Sequence, residues 1–328
     1  MNEVIAGYAE AVLGGGVLGR GQIDQLAGAA SEDPDDLLYW ANRIRQKHFG
    51  NSVRLCSIVP GRLGGCNQDC AFCAQSVRYD THIEKTAKTL GDEEIIAAAE
   101  EARDNGVPNF GIVYSGKAVT EAEFARLEVL IARITRQTGL GMCAALGIID
   151  AEQGRRLAAA GLKRYNHNLE TSERYFGRIV STHSYGDRVA AIRAAQSAGL
   201  GICAGGIFGI GETEADRIDM ALELRGLGVD TVPMNFLHPI AGTPLGERSA
   251  LSGREILGII GMYRFILPEV NLKIAGGRVL NLRDLQSWIF YAGATSILTG
   301  NYLTTAGRSA EADIQMVKDL GLVVEAGS

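Results

Sequence analysis

The chain has 328 residues, 46% hydrophobic and 21% charged, with a formal net charge of −6. This is the balance of a globular protein with room for a large core, and 42 glycines against 7 prolines read as many tight turns rather than disorder. Lys and Arg are scattered among Asp and Glu with no basic stripe, which argues against a nucleic-acid partner. The opening MNEVIAGYAEAVLGGG is acidic where a signal peptide is basic, and no apolar run approaches the roughly 18 residues of a membrane span. A cytoplasmic protein with no membrane association is expected, and in such a protein the six cysteines read as free thiols or metal ligands.

Residues 1–50 read as an N-terminal helical extension ending in the amphipathic DDLLYWANRIRQKHFG, with Ser31 or Asp33 as its cap. From 51 to 305, short apolar runs alternate with helical patterns, as in repeated βα units around a parallel sheet. Eight strands are predicted, at 53–59, 109–115, 140–147, 162–168, 200–209, 229–236, 270–277 and 294–300. Intervening patterns such as DEEIIAAAEEARDNG and SYGDRVAAIRAAQSAG close with the glycine expected just past a helix end. The fold class is therefore α/β, a TIM-type (β/α)8 barrel, with its chemistry at the C-terminal ends of the strands. Residues 306–328 read as a closing helix with a loose tail, and the whole as one structural domain.

Directly after the first predicted strand, GRLGGCNQDCAFCAQS places Cys66, Cys70 and Cys73 in a C-x3-C-x2-C cluster. Three thiolates this close can hold three irons of a 4Fe-4S cube and leave the fourth open. A structural zinc site would need a fourth Cys or His nearby, and none is present.

This spacing, with Phe72 before the last cysteine, resembles the signature of the radical S-adenosylmethionine (SAM) superfamily. The segments RYNHNLETS (164–172), HSYGDR (183–188), CAGGIFGIGET (203–213), VPMNFLHPIAGTPL (232–245) and FYAGATSILTGNYLTT (290–305) resemble the biotin synthase family within it. The resemblance implies a sulfur-inserting enzyme that converts dethiobiotin to biotin, with hydrogen removed at C9 and then C6. It implies that the open iron binds SAM and reduces it to a 5′-deoxyadenosyl radical. Carried over by position, Phe72 packs near the adenine, Asn168 and Glu170 hold the SAM ribose, and Arg188 lies near the SAM carboxylate. Glu170 stands where the family has aspartate. Asn166 and Asn235 match residues that bind the ureido ring, whose carbonyl and two N–H groups amide side chains can satisfy. His167 is left as a satisfied barrel histidine, and GIGET, which lacks the P-loop lysine, is expected to line the SAM pocket after strand five. The family further implies a flavodoxin or ferredoxin electron donor, iron-sulfur assembly machinery and a homodimer.

Biotin synthases of the familiar kind hold a second, 2Fe-2S cluster by three cysteines and an arginine. Two of those cysteines match Cys143 and Cys203, but the third falls at or beside Gly111 in NFGIVYS, which has no thiol, and the arginine at Lys273. Cys56, ten residues before Cys66 on the first strand, is a spare thiol. It could converge with Cys143 and Cys203 on a rearranged auxiliary cluster, either 2Fe-2S or a 4Fe cubane carrying an extra sulfide. Gly111 and Lys273 leave open a related enzyme with another substrate, such as a methylornithine synthase or a hydrogenase maturase. A non-catalytic metal-binding scaffold is the alternative of a different class, and it predicts no cleavage of SAM.

Overall fold

The structure, a computed structural model, describes residues 1–325. Eight parallel strands form a closed barrel: β1 (Ser52–Leu63), β2 (Asn109–Tyr114), β3 (Gly141–Ala145), β4 (Arg164–Asn166), β5 (Gly201–Cys203, resuming at Gly206–Phe208), β6 (Thr231–Phe236), β7 (Asn271–Ile274) and β8 (Ser296–Leu298). Neighbours in sequence are neighbours in the sheet, and β8 closes it by pairing Ser296, Ile297 and Leu298 with Arg54, Leu55 and Cys56 of β1. This is the predicted TIM-type barrel, with several strands shorter than the apolar runs that encode them. β5 breaks at Ala204–Gly205, where a Cβ on Gly205 would stand 2.0 Å from the carbonyl oxygen of Pro233.

The strand-to-helix loops end alike. Thr120 with Glu123, Asp150 with Gln153, Ser184 with Asp187, Thr213 with Asp216 and Ser252 with Glu255 each form a capping box. Each box satisfies two backbone donors and fixes where an outer helix starts. The loops above the barrel are thereby held to defined lengths.

Three N-terminal helices, α1 (Glu3–Leu13), α2 (Arg20–Glu32) and α3 (Pro34–Phe49), form the predicted extension. Asp33 occupies the α3 N-cap position, whereas Ser31 lies inside α2 with its hydroxyl donating to Ala27 O. α3 packs on the helix Gly253–Ile266, where a Cβ on Gly261 would come within 2.9 Å of Leu37. The buried Arg264 guanidinium donates to the carbonyls of Gly293, Leu267, Pro268 and Val270 at 2.9–3.0 Å and lies over the Phe49 ring. Burial without an acidic partner pushes its pKa down to about 9.

The chain end departs from expectation. After the helix Ala310–Asp319, Val323–Val324 add as a short parallel strand beside Ser52–Val53, and Glu325 pairs with Arg54 at 2.7 Å. Unpaired N–H and C=O groups on the start of β1 provide that edge. The last three residues of the expected tail lie outside the described residues. Among the described residues, no helix is long and apolar enough to cross a membrane.

Candidate active site

β1 outruns the barrel rim. Its far end pairs antiparallel with Lys88–Thr89, and a register shift between Pro60 and Arg62 marks a bulge. Bulges re-aim a strand beside a functional site. The chain then turns through Gly64 (φ 74°) and Gly65 (φ 63°), where a side chain would meet Glu84 O at 2.5 Å and Ala87 Cβ at 2.6 Å. Only glycine fits both the conformation and the space.

The cysteine loop that follows closes on itself. Cys66 N–H donates to Gln75 O (3.1 Å), Val77 N–H to Cys66 O (2.8 Å) and Cys73 N–H to Cys70 O (3.0 Å). Cys66, Cys70, Phe72 and Cys73 line a cavity of about 200 Å³ that also receives Asn166, Asn168, Glu170 and Arg188. Burial pushes the Cys70 thiol up to about 12 and Cys73 up to about 11; the neighbouring cysteines and Glu170 add to both, and Arg188 opposes at Cys70. Sulfur can ionise in such a place only beside a positive partner, so the donor set suits a metal cluster. Among the described residues, no three His, Cys, Asp or Glu side chains converge on a single ion. Thiolates that cap three separate irons need not do so.

Arg188, from the first turn of the helix Tyr185–Ser197, donates to Asn168 O at 2.8 Å and pairs with Glu170 at 3.4 Å. Asn168 Nδ2 reaches Glu170 Oε2 at 3.5 Å and its Oδ1 accepts from Gly205 N–H. Glu170 adopts φ 71°, a left-handed conformation that non-glycine residues seldom hold outside functional sites. Burial raises its pKa against the pull of Arg188 and Asn168.

A second cavity of about 170 Å³ lies deeper in the barrel, with Cys56, Cys143, Lys273, Asn166, Asn168 and Asn235 in its wall. Lys273 Nζ donates to Cys203 Sγ at 3.2 Å, which ties Cys203, itself outside this wall, to the three predicted auxiliary residues Cys56, Cys143 and Lys273 that line it. Burial and the charge of Cys203 push Cys143 up to about 12, against Lys273. Burial works to lower the Lys273 pKa, but Cys203, Cys56 and Cys143 outweigh it and hold the ammonium above its ordinary value. A Cβ on Gly111 would stand 3.8 Å from the Cβ of Cys143 and 3.1 Å from Ile58 Cγ2. A larger side chain at 111 would therefore face this same cavity, and Ile58 fills part of its space.

A third cavity of about 290 Å³ shares Asn168, Glu170 and Asn235 with the others and extends past Ile207, Phe236 and Leu303 to Tyr302, Thr304 and Thr305. Asn168 lines all three. Asn166 Nδ2 donates to Cys203 O and Asn235 Nδ2 to Gly206 O, both at 3.2 Å, while Asn235 Oδ1 accepts from Gly276 N–H at 2.9 Å. These bonds fix both amides and leave further donors and lone pairs for a ligand.

Two expectations change. His167 lines the first cavity with Nε2 buried and unpartnered, so it is not the satisfied barrel histidine of the sequence reading. GIGET (209–213) lines none of these cavities: Glu212 is spent on the N–H groups of Gly209 and Ile210 and on Arg217. The 302–305 rim closes the segment 290–305 that shares in the family resemblance, but no site role was assigned to it, and its place in the cavity wall is what singles it out. A larger groove of about 360 Å³, between α2, α3 and the helix Gly253–Ile266, holds none of the candidate residues.

Residues 62–224 match the Radical SAM superfamily model and 233–323 the Biotin and Thiamin Synthesis associated domain. The chain is 47% identical over 325 residues to "Biotin synthase" of Heliobacterium modesticaldum, covering 99% of each, and 43% identical over 322 residues to that of Citrifermentans bemidjiense, covering 98% of each. Among solved structures it is similar to methylornithine synthase (TM-score 0.82, 21% identity, 97% of each chain). It is also similar to the FeFe-hydrogenase maturase of Carboxydothermus hydrogenoformans (TM-score 0.81, 17% identity, 98% of this chain and 79% of that one). At such identities these two likenesses concern the fold alone.

Proposed function

The chain belongs to the biotin synthase family of the radical SAM superfamily, and from that membership we propose how its residues share the conversion of dethiobiotin to biotin. When bound, the 4Fe-4S cluster with SAM supplies a 5′-deoxyadenosyl radical that takes hydrogen from the substrate, and the auxiliary iron-sulfur cluster supplies the sulfur.

Cys66, Cys70 and Cys73 hold the first cluster, and Phe72, Asn168, Glu170 and Arg188 hold SAM. Arg188, in the same cavity wall, orients Glu170 and Asn168, so the ribose meets a preset carboxylate and amide. Cys56, Cys143 and Cys203 hold the auxiliary cluster, and the Lys273 ammonium balances their charge in the family arginine's place. Asn166 and Asn235 take the ureido ring, and the apolar third cavity takes the hydrocarbon tail, with Thr304 and Thr305 for its carboxylate. The barrel wall excludes water from the radical, which is most of what a protein contributes to such chemistry.

The observation that carries this reading is the chain of three cavities sharing Asn168, with the cysteine triplet on the outer one and Cys56, Cys143 and Lys273 on the inner one. The chemistry also calls for a flavodoxin or ferredoxin as electron donor and for iron-sulfur assembly machinery to restore consumed sulfur; a homodimer is the family's usual arrangement.

The test is iron and sulfide analysis with Mössbauer spectra of the anaerobically reconstituted protein. About eight irons, falling towards four in Cys56→Ala, are expected for a second cubane held partly by Cys56. About six irons unaffected by the substitution would assign a 2Fe-2S site without Cys56. About four in both would leave no sulfur donor and overturn the reading.

A further inference from the structure

Asp69 sits inside the cysteine loop, immediately before Cys70, yet it is absent from the wall of the cavity that the cysteines line. Its carboxylate accepts four hydrogen bonds: from the N–H (3.0 Å) and hydroxyl of Ser181, and from the N–H (3.2 Å) and hydroxyl (2.9 Å) of Thr182. Its own N–H donates to Thr182 Oγ1 at 3.3 Å. On either side, Gln68 Oε1 meets His183 Nδ1 at 2.9 Å and Ala71 N–H donates to Ile179 O at 2.9 Å. All these partners belong to the connection between the short helix Glu173–Phe176 and the helix Tyr185–Ser197.

Three of these donors converge on Oδ1 and one on Oδ2, and bonds to an ionised acceptor are the strong ones. Thr182 is followed by the N-cap Ser184 and, one turn on, by Arg188, which holds Asn168 and Glu170. A shift of the cysteine loop is therefore a shift of the helix that carries Arg188. We propose that Asp69 is a positioning residue for the SAM site: it latches the cysteine loop to this helix, so that the cluster's open iron and the Arg188–Asn168–Glu170 group keep a fixed separation. The proposal rests on the SAM-binding role given to those residues above.

The test uses the reconstituted full chain as wild type, Asp69→Asn and Thr182→Val, with four readouts: thermal midpoint, iron content, SAM affinity, and the change in the electron paramagnetic resonance spectrum of the reduced cluster when SAM is added. Asp69→Asn keeps the shape but puts an amide donor in the place of one carboxylate oxygen, against the Ser181 hydroxyl at Oδ2 or against the three donors at Oδ1. The expected result is retained iron and a folded protein, with SAM bound about tenfold or more weakly and a diminished SAM-dependent spectral change, because small misplacements of binding groups are costly. Thr182→Val should give a smaller effect of the same kind, and the double variant should fall short of the sum. If Asp69→Asn does not fold, Thr182→Val with Ser181→Ala carries the same readouts. Wild-type SAM affinity and spectra in folded variants would overturn the latch alone. A wild type whose cluster spectrum ignores SAM would overturn the SAM-site reading and the latch with it.

Discussion

His167 illustrates how burial sets behaviour at a single residue. Burial, with Arg188 and His183 nearby, pushes its pKa down to about 3, below the roughly 6.5 of an unfolded histidine. The unfolded chain therefore binds a proton that the folded chain refuses, so stability falls as pH drops through the window between those values. The slope is at most ~1.4 kcal/mol per pH unit from this group. In the cluster-free protein, His167→Gln should lose stability less steeply than wild type between pH 7 and 5 in urea unfolding; parallel slopes would mean that His167 takes up its proton in the folded chain as readily as in the unfolded one. Lys273 is the opposite case, a buried cation kept charged by cysteines. Lys273→Met preserves bulk and removes the charge, and we expect reconstituted protein to lose roughly half its iron while the SAM-cluster signal persists. Full iron content would free Lys273 from any role at the auxiliary site. Both residues were visible in the sequence, yet only Lys273 could be assigned there, because it lies at a family position whereas a histidine's partners are tertiary facts.

At the scale of elements, the helix Ala310–Asp319 holds the upper rim in place. Asp313 accepts from Arg278 Nη1 (3.0 Å) and Nη2 (2.6 Å), with both side chains fully buried, and from Arg308 Nε at 3.2 Å. This joins the closing helix to the turn after β7, and the 302–305 rim of the third cavity lies between them in sequence. Asp313→Ala strands a buried guanidinium and should cost about 3–5 kcal/mol in urea unfolding. The double variant Arg278→Met/Asp313→Leu, which removes both charges, should recover most of that loss; a double variant as unstable as the single would show that packing around the pair, rather than its charge, holds the rim. Strand and helix order were legible from periodicity because it is local. The rim was not, since nothing in GNYLTT marks it as a wall until Arg278 and Asp313 have been brought together.

For the molecule as a whole, the extension and the barrel share one core. α3 covers the helix Gly253–Ile266, whose Ile256, Ile260 and Phe265 are buried, so removing residues 1–50 would uncover an apolar face of the kind that drives aggregation. The truncated chain is expected to be insoluble on expression, and a soluble product with the wild-type thermal midpoint would make the extension a separate unit. The sequence by itself determined the number and order of the βα units and the glycine-flanked cysteine loop, because these depend on short-range spacing and local conformational preference, whereas the residues proposed to hold SAM were named by family resemblance alone. Which distant thiols meet was decided by closure of the barrel. Cys56 lies opposite Leu298 on one side and Asn109 on the other, while Cys143 lies opposite Gly111 and Arg164. That register comes from the stagger of eight strands around a ring, and a slip of one residue would turn each of these side chains to the other face.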